Sequence, residues 1–186
     1  MDIRYSANQK DVKRYTTEEL RNEFLITDLY APNEVHAVYS HVDRMVTMGC
    51  MPTTETVSID KGIDCWKNFG TDYFLERREI GIFNIGGAGT ITIDGKAYHV
   101  AHKEGMYIGM GSRDITFASD DAAVPAKFYL NSAPAHRTCP TVLIKPEGTR
   151  ISTTSPTFFP IKPWAIGVLT EIFPSFRLAS ESDTNV

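Results

Sequence analysis

The chain has 186 residues, a formal net charge of −4, and a composition of 42% hydrophobic, 11% aromatic and 23% charged residues. That is ordinary globular composition, which excludes a wholly disordered chain, a coiled coil and a collagen. The acidic balance argues against a broad nucleic-acid footprint, and no apolar run is long enough for a transmembrane helix. The charged start, MDIRYSANQKDVKRY, has no hydrophobic core of a secretory signal. Cys50, Cys65 and Cys139 are odd in number and form no CxxC pair, which fits reduced thiols of a cytoplasmic protein.

Residues 1–32 read as an arm with one short helix, because Thr16 and Glu19 form a T-x-x-E capping box ahead of Leu20, Phe24 and Leu25. Helix signals then become scarce. Residues 35–42, 44–51 and 54–59 read as strands, and 60–70 as a loop bounded by Gly62 and Gly70. Residues 79–85 form the next strand, turned by Gly86-Gly87-Ala88-Gly89 into 90–93. Asp94-Gly95 is a two-residue hairpin signal leading into 97–100. Strands at 105–108, 115–119 and 126–131 complete a series of short, closely spaced elements. The pattern predicts an all-β antiparallel sandwich of the jelly-roll kind, with a helical arm and an atypical C-terminal tail. Six of the ten prolines fall from Pro140 onward. The expected organisation is an arm (1–32), a sandwich domain (33–148) and a divergent tail (149–186).

The glycine-rich GGAGT at 86–90 is followed by a strand, not a helix, so it reads as a hairpin turn and not a phosphate loop. His36, His41, His99, His102 and His136 form no H-x-H or H-E-x-x-H word, and surface or hydrogen-bonded histidine is the plainer reading. His136, after Pro134-Ala135, is the one best placed to line a cleft. No Ser-His-Asp or Cys-His arrangement can be read from spacing. Glu76-Arg77-Arg78-Glu79 interrupts an apolar run. Such charges either protect a solvated edge, the plainer reading, or line a pocket. In a pocket an arginine would hold a carboxylate and a glutamate would move a proton.

LRNEFLI at 20–26, YSHVDR at 39–44, YFLERREIGIFNIGGAGTITIDG at 73–95 and PAKFYLNSAPAH at 125–136 resemble the 4-deoxy-L-threo-5-hexosulose-uronate ketol-isomerases. The resemblance covers about the first 148 residues. It implies a cupin fold and an aldose–ketose isomerisation. The substrate implied is a small deoxyuronate from the breakdown of pectin and other uronate polymers, converted by a homo-oligomeric zinc enzyme. In that family the second of two sandwiches carries H-T-H-x-R-R-M-E, which holds zinc. Here the equivalent stretch places Tyr73 and Leu75 in the histidine slots, so no metal ligand carries over to this chain. The resemblance implies catalytic roles for Glu76 and Glu79 and substrate contacts for Arg77, Arg78 and His136. Beyond residue 149 the family pattern stops. A truncated or frameshifted product, or a single-domain form, would account for that, and the isolated chain is expected to be inactive. A non-enzymatic cupin module for binding or assembly is the alternative.

Overall fold

A computed structural model describes residues 1–146; the tail assigned to 149–186 lies outside them. The arm begins with a strand, β1 (Asp2–Arg4), followed by α1 (Gln9–Val12) and α2 (Thr17–Phe24). The predicted capping box is formed. Glu19 N donates to Thr16 Oγ1 at 3.3 Å, and Thr16 N donates to Glu19 Oε2 at 2.6 Å. The bonds that Thr16 N and then Thr16 Oγ1 donate to Glu19 Oε2 hold its carboxyl below the ordinary pKa. Unlike the arm expected from sequence, this one holds two helices, and β1 joins a sheet.

The remaining elements are β2 (Val35–Ser40), β3 (Val46–Cys50), β4 (Val57–Ser58), α3 (Cys65–Phe69), β5 (Arg78–Asn84), β6 (Gly89–Ile93), β7 (Lys96–Val100), β8 (Gly105–Ile108), β9 (Ile115–Ser119), β10 (Phe128–Pro134) and β11 (Val142–Ile144). One sheet has the order β1-β2-β3-β10-β5-β8-β11 and the other β4-β9-β6-β7. Strands β3 to β10 thus divide between two four-stranded layers, β3-β10-β5-β8 and β4-β9-β6-β7, switching layer at each step except the β6–β7 hairpin, as in a jelly roll. The predicted cupin-type sandwich is the observed fold. Two elements differ from expectation. Residues 60–70 are not all loop: Asp64 Oδ1 accepts from Lys67 N at 2.9 Å and Gly70 closes α3 at φ 65°. Residues 142–144, in the region where proline becomes frequent, add a strand to β8.

The sandwich interior follows from period-two alternation. Met48, Ile80, Ile82, Met106, Ile108, Phe128 and Leu130 point inward from one sheet, and Ile91, Ile115 and Phe117 from the other; all are almost fully buried. Phe117 and Phe128 meet across the layers at 5.3 Å between ring centroids. Each such side chain contributes about 1.5–3 kcal/mol on burial.

At one end, buried Asn84 organises the glycine turn. Its Nδ2 donates to Gly87 O at 2.7 Å and Val100 O at 2.9 Å, and its Oδ1 accepts from Gly86 N at 3.1 Å. A Cβ on Gly87 would lie 1.9 Å from Val124 O, so the turn admits no side chain there. Asp94 and Gly95 both have positive φ (47° and 82°), as a two-residue hairpin of this hand demands. Asn33 Oδ1 accepts from Thr53 N at 2.8 Å and Thr54 N at 3.0 Å, tying the end of the arm to the β3–β4 connection.

Leu29 lies over the outer face of β3 at Gly49, where an added Cβ would come 2.3 Å from Leu29 O and 2.6 Å from Leu29 Cγ. Gly49→Ala is therefore expected to lift the 28–31 segment and cost about 1–3 kcal/mol, read as a lower midpoint in urea unfolding.

Candidate functional site

The charged word at 76–79 sits where β5 begins. Strand β5 lies between β10 and β8, so it is central and the edge reading of these charges is corrected. The pleat sends Arg78 and Glu79 to opposite faces. Arg78 follows the inward row of Ile80 and Ile82; Glu79 joins the outward row with Phe83. Glu76 and Arg77 precede the strand, on the rim.

Arg78 is 5% exposed. Its Nε donates to Ser132 Oγ at 3.0 Å, and its Nη2 donates to Ser132 O at 2.9 Å and to Arg44 O at 2.7 Å. Its guanidinium lies over the Phe69 ring, 5.2 Å from the centroid. Ser132 Oγ donates in turn to Glu79 O at 2.8 Å. Burial pushes the Arg78 guanidinium down to about 10, opposed by Tyr39 and aided by the neighbouring Arg44 cation, so it stays charged at neutral pH.

Glu79 is buried on the other face, where its Oε2 accepts from the Tyr107 hydroxyl at 2.8 Å. Tyr107 packs there with Ile144, Met45, Phe83, Ala133 and Cys139. Burial, then the bond to Glu79, pushes the Tyr107 hydroxyl well above its usual range. Glu76 Oε2 accepts from Asp72 N at 2.7 Å, and its Oε1 lies 3.9 Å from Nε of the exposed Arg77. Ala135 N donates to Arg77 O at 3.0 Å. That bond brings exposed His136 to the same rim. The structure therefore gathers Glu76, Arg77 and His136 at the surface and divides Arg78 from Glu79 by the sheet.

Sequence reasoning missed Ser132, Tyr107 and Arg44. Ser132 and Tyr107 sit on strands flanking β5, and only the pairing of Ser132 with Ile80 and of Tyr107 with Gly81 reveals them. The other histidines meet nearby groups: His36 faces Asp28 O, His99 faces Asp120 Oδ2 at 2.9 Å, and His102 faces Gly86 O at 2.8 Å. His41 stacks on Tyr5. Among the described residues no three His, Cys, Asp or Glu side chains gather in a metal-binding group. Besides Arg78, Asn84 and Ser132, the inward positions of β5, β8 and β10 carry Ile80, Ile82, Met106, Ile108, Phe128 and Leu130, and none of them is a His, Cys, Asp or Glu. These residues do not fit a zinc ion. No described helix is long and apolar enough to cross a membrane, and the three cysteines are free thiols.

Tyr107→Phe removes a donor from a buried carboxylate and is expected to cost about 1–3 kcal/mol in urea unfolding. The fold holds the Tyr107 proton more tightly than the unfolded chain does. This contribution is therefore complete below the ordinary tyrosine value of 10.0 and declines as pH rises above it. The wild-type midpoint at pH 10.5 should fall below that at pH 8 by more than the variant's does.

No family model matches the chain. Over 147 residues, 79% of its length, it is 56% identical to 4-deoxy-L-threo-5-hexosulose-uronate ketol-isomerase of Lachnoclostridium phytofermentans. Over the same span it is 50% identical to the protein of that name from Escherichia coli strain SMS-3-5 and 49% to that of Lachnospira eligens. The chain spans about half the length of these curated relatives, 52%, 52% and 51%. Among solved structures it is similar to a cupin protein from Bacteroides fragilis (14% identity, 52% of this chain and 70% of that one, TM-score 0.36). It is also similar to protein Ylba from E. coli (16% identity, 62% and 46%, TM-score 0.42). Those two likenesses are loose, and the jelly roll stands on its own strand order. Over the matched 147 residues, this chain is similar at 49–56% identity to the 4-deoxy-L-threo-5-hexosulose-uronate ketol-isomerases, and its strands form a jelly-roll β-sandwich.

Proposed function

We propose that this chain supplies a sandwich to a cytoplasmic isomerase of uronate breakdown. The reaction interconverts 5-dehydro-4-deoxy-D-glucuronate and 3-deoxy-D-glycero-2,5-hexodiulosonate, as in the degradation of pectin. The observation that carries this reading is the 56% identity over 147 residues to a relative bearing that activity in its name.

Such an isomerisation moves a proton between adjacent carbons through an enediolate. It needs a base within reach of both carbons and a group that stabilises the oxyanion. Arg77 and His136 share the rim, and we assign the carboxylate of the sugar acid to them, with Arg77 offering a bidentate fork. Glu76 beside Arg77 is the carboxylate placed to move a proton. Glu79 faces away, bound to Tyr107, and Arg78 is held by carbonyls; both position the rim through β5. The family's zinc belongs outside this sandwich's interior. The described residues thus offer a carboxylate contact and a base, and lack an oxyanion stabiliser. The filled interior favours a framework and binding role over a complete reaction centre.

Self-association belongs to the same reading. The α2 region leaves Leu20, Phe24 and Leu25 exposed, a patch suited to a second copy.

Titrating the deoxyuronate into isotopically labelled 186-residue chain should shift the amide signals of residues 76, 77, 135 and 136. Turnover should stay at the uncatalysed rate, and bound zinc well below one ion per chain. Zinc-dependent turnover, or shifts confined to other residues, would overturn the assignment.

A further inference from the structure

The link from β10 to β11 must pass two intervening strands, because the sheet runs β10-β5-β8-β11. Residues 135–141 make that crossing. They start beside β5, where Ala135 N donates to Arg77 O at 3.0 Å. They then press on the end of β8, where a Cβ on Gly109 would come 2.0 Å from Cys139 O. No further backbone hydrogen bond ties residues 136–141 to the rest of the described residues. Strand β11 follows. It is three residues long, pairs with β8, and has no strand on its other edge among the described residues.

The segment also packs apart from the main interior. Cys139 and Ile144 meet Tyr107, Met45, Phe83 and Ala133 in a small cluster on the outer face, separate from the sandwich core. Of residues 135–146, Leu143 reaches that core, from a half-buried position. Val142 is 43% exposed. Lys145 pairs with Glu104 at 3.7 Å, with its own side chain largely in water, so the pair contributes little. The β5 ladders to β10 and β8, the Arg78–Ser132 bonds and the Glu79–Tyr107 bond use none of residues 135–146. Detaching this segment therefore leaves the sandwich framework bonded. Segments held in this way open at a fraction of the free energy of global unfolding.

We infer that residues 135–146 form a strap that opens and closes as one unit on an otherwise intact sandwich. Opening breaks the Ala135–Arg77 bond, carries His136 away from the rim, and uncovers Tyr107 and the outer edge of β8. The strap thus switches the rim between a state with His136 beside Arg77 and a state without it. The close approach of Cys139 O to Gly109 is the point at which the closed state is most sensitive to added bulk. This device rests on the strand order and the packing, and does not depend on the isomerase reading.

Amide hydrogen exchange of the 186-residue chain, followed by NMR at rising urea below the unfolding transition, tests the strap. The Ala135 amide and the paired amides of β11 should exchange together. Their rate should be at least about ten-fold above that of the paired amides at 80–82, with a shallower urea dependence. Gly109→Ala puts a methyl against Cys139 O. It should speed exchange at 135 and 142–144 about ten-fold or more, leave 80–82 unchanged, and move the His136 ring signals to those of an unstructured histidine. Ile144→Ala, which only truncates a side chain, should act in the same direction and serves where Gly109→Ala fails to fold. Ala135 exchanging with the 80–82 amides while β11 exchanges apart from it would overturn the single unit. Equal rates and urea slopes for the strap and 80–82 would overturn the opening. So would Ile144→Ala speeding both sets equally, or leaving both unchanged.

Discussion

Arg78 and Glu79 are neighbours in a central strand, and a pleated strand must send neighbours to opposite faces. Both faces of β5 are covered, so both charges are buried and each needs partners from another strand. Ser132 serves the inner one and Tyr107 the outer one. Ser132 also donates to the carbonyl of Glu79, so a single hydroxyl binds the Arg78 side chain and the β5 backbone at once. The register of β10 on β5 is thereby fixed at this end: a slip of one residue would remove Ser132 from the interior and strand Arg78. From that constraint follow the hold on the Arg44 turn, the position of Phe69 and the placing of Arg77 just outside the strand.

The two ends of the sandwich are organised by different means. At the glycine turn, Asn84 satisfies four backbone groups around a chain reversal too tight for side chains. The turn itself is held by amide groups, with His102 on Gly86 O beside it. The other end holds Arg44, Arg77, Arg78 and His136, along with an aromatic run from Tyr5 through His41 and Tyr39 to Phe69 and Phe74. That run connects the strand of the arm to the core. The charged word of β5 and His136 therefore lie at one end, and the opposite end carries the folding constraint of the reversal.

Local signals were readable and long-range ones were not. The Thr16–Glu19 box and the Asp94-Gly95 hairpin are written within four residues, and both appear as expected. The spacing of short strands led directly to the jelly roll. Whether β5 was central could not be read locally, because its partners lie about 25 and 50 positions away. The edge reading of its charges failed for that reason. The five residues of α3 are too few for a hydrophobic period, although Asp64 and Gly70 mark its two ends. Strand β11 is three residues long and exists through its pairing with β8. At the site, the sequence isolated the 76–79 word and His136, and the fold then sorted them: three to the rim, two to opposite buried faces.

That sorting bears on what the sandwich can become. A metal site needs three or four donors converging on one point, each with a further hydrogen bond to fix its orientation. Apart from Arg78, Asn84 and Ser132 at its two ends, the inward face of β5, β8 and β10 is made of buried aliphatic, aromatic or thioether side chains. Replacing one by histidine would bury an imidazole with no partner, at a cost of the order of 1–3 kcal/mol before any metal arrives. Several such changes would be needed together, so the interior resists gradual conversion to a metal centre. The mouth carries no such barrier. Arg77 and His136 are exposed and outside the packed interior, so side chains there can change without opening the core. Rim side chains in this sandwich are accordingly free to vary while the packed interior keeps the frame constant.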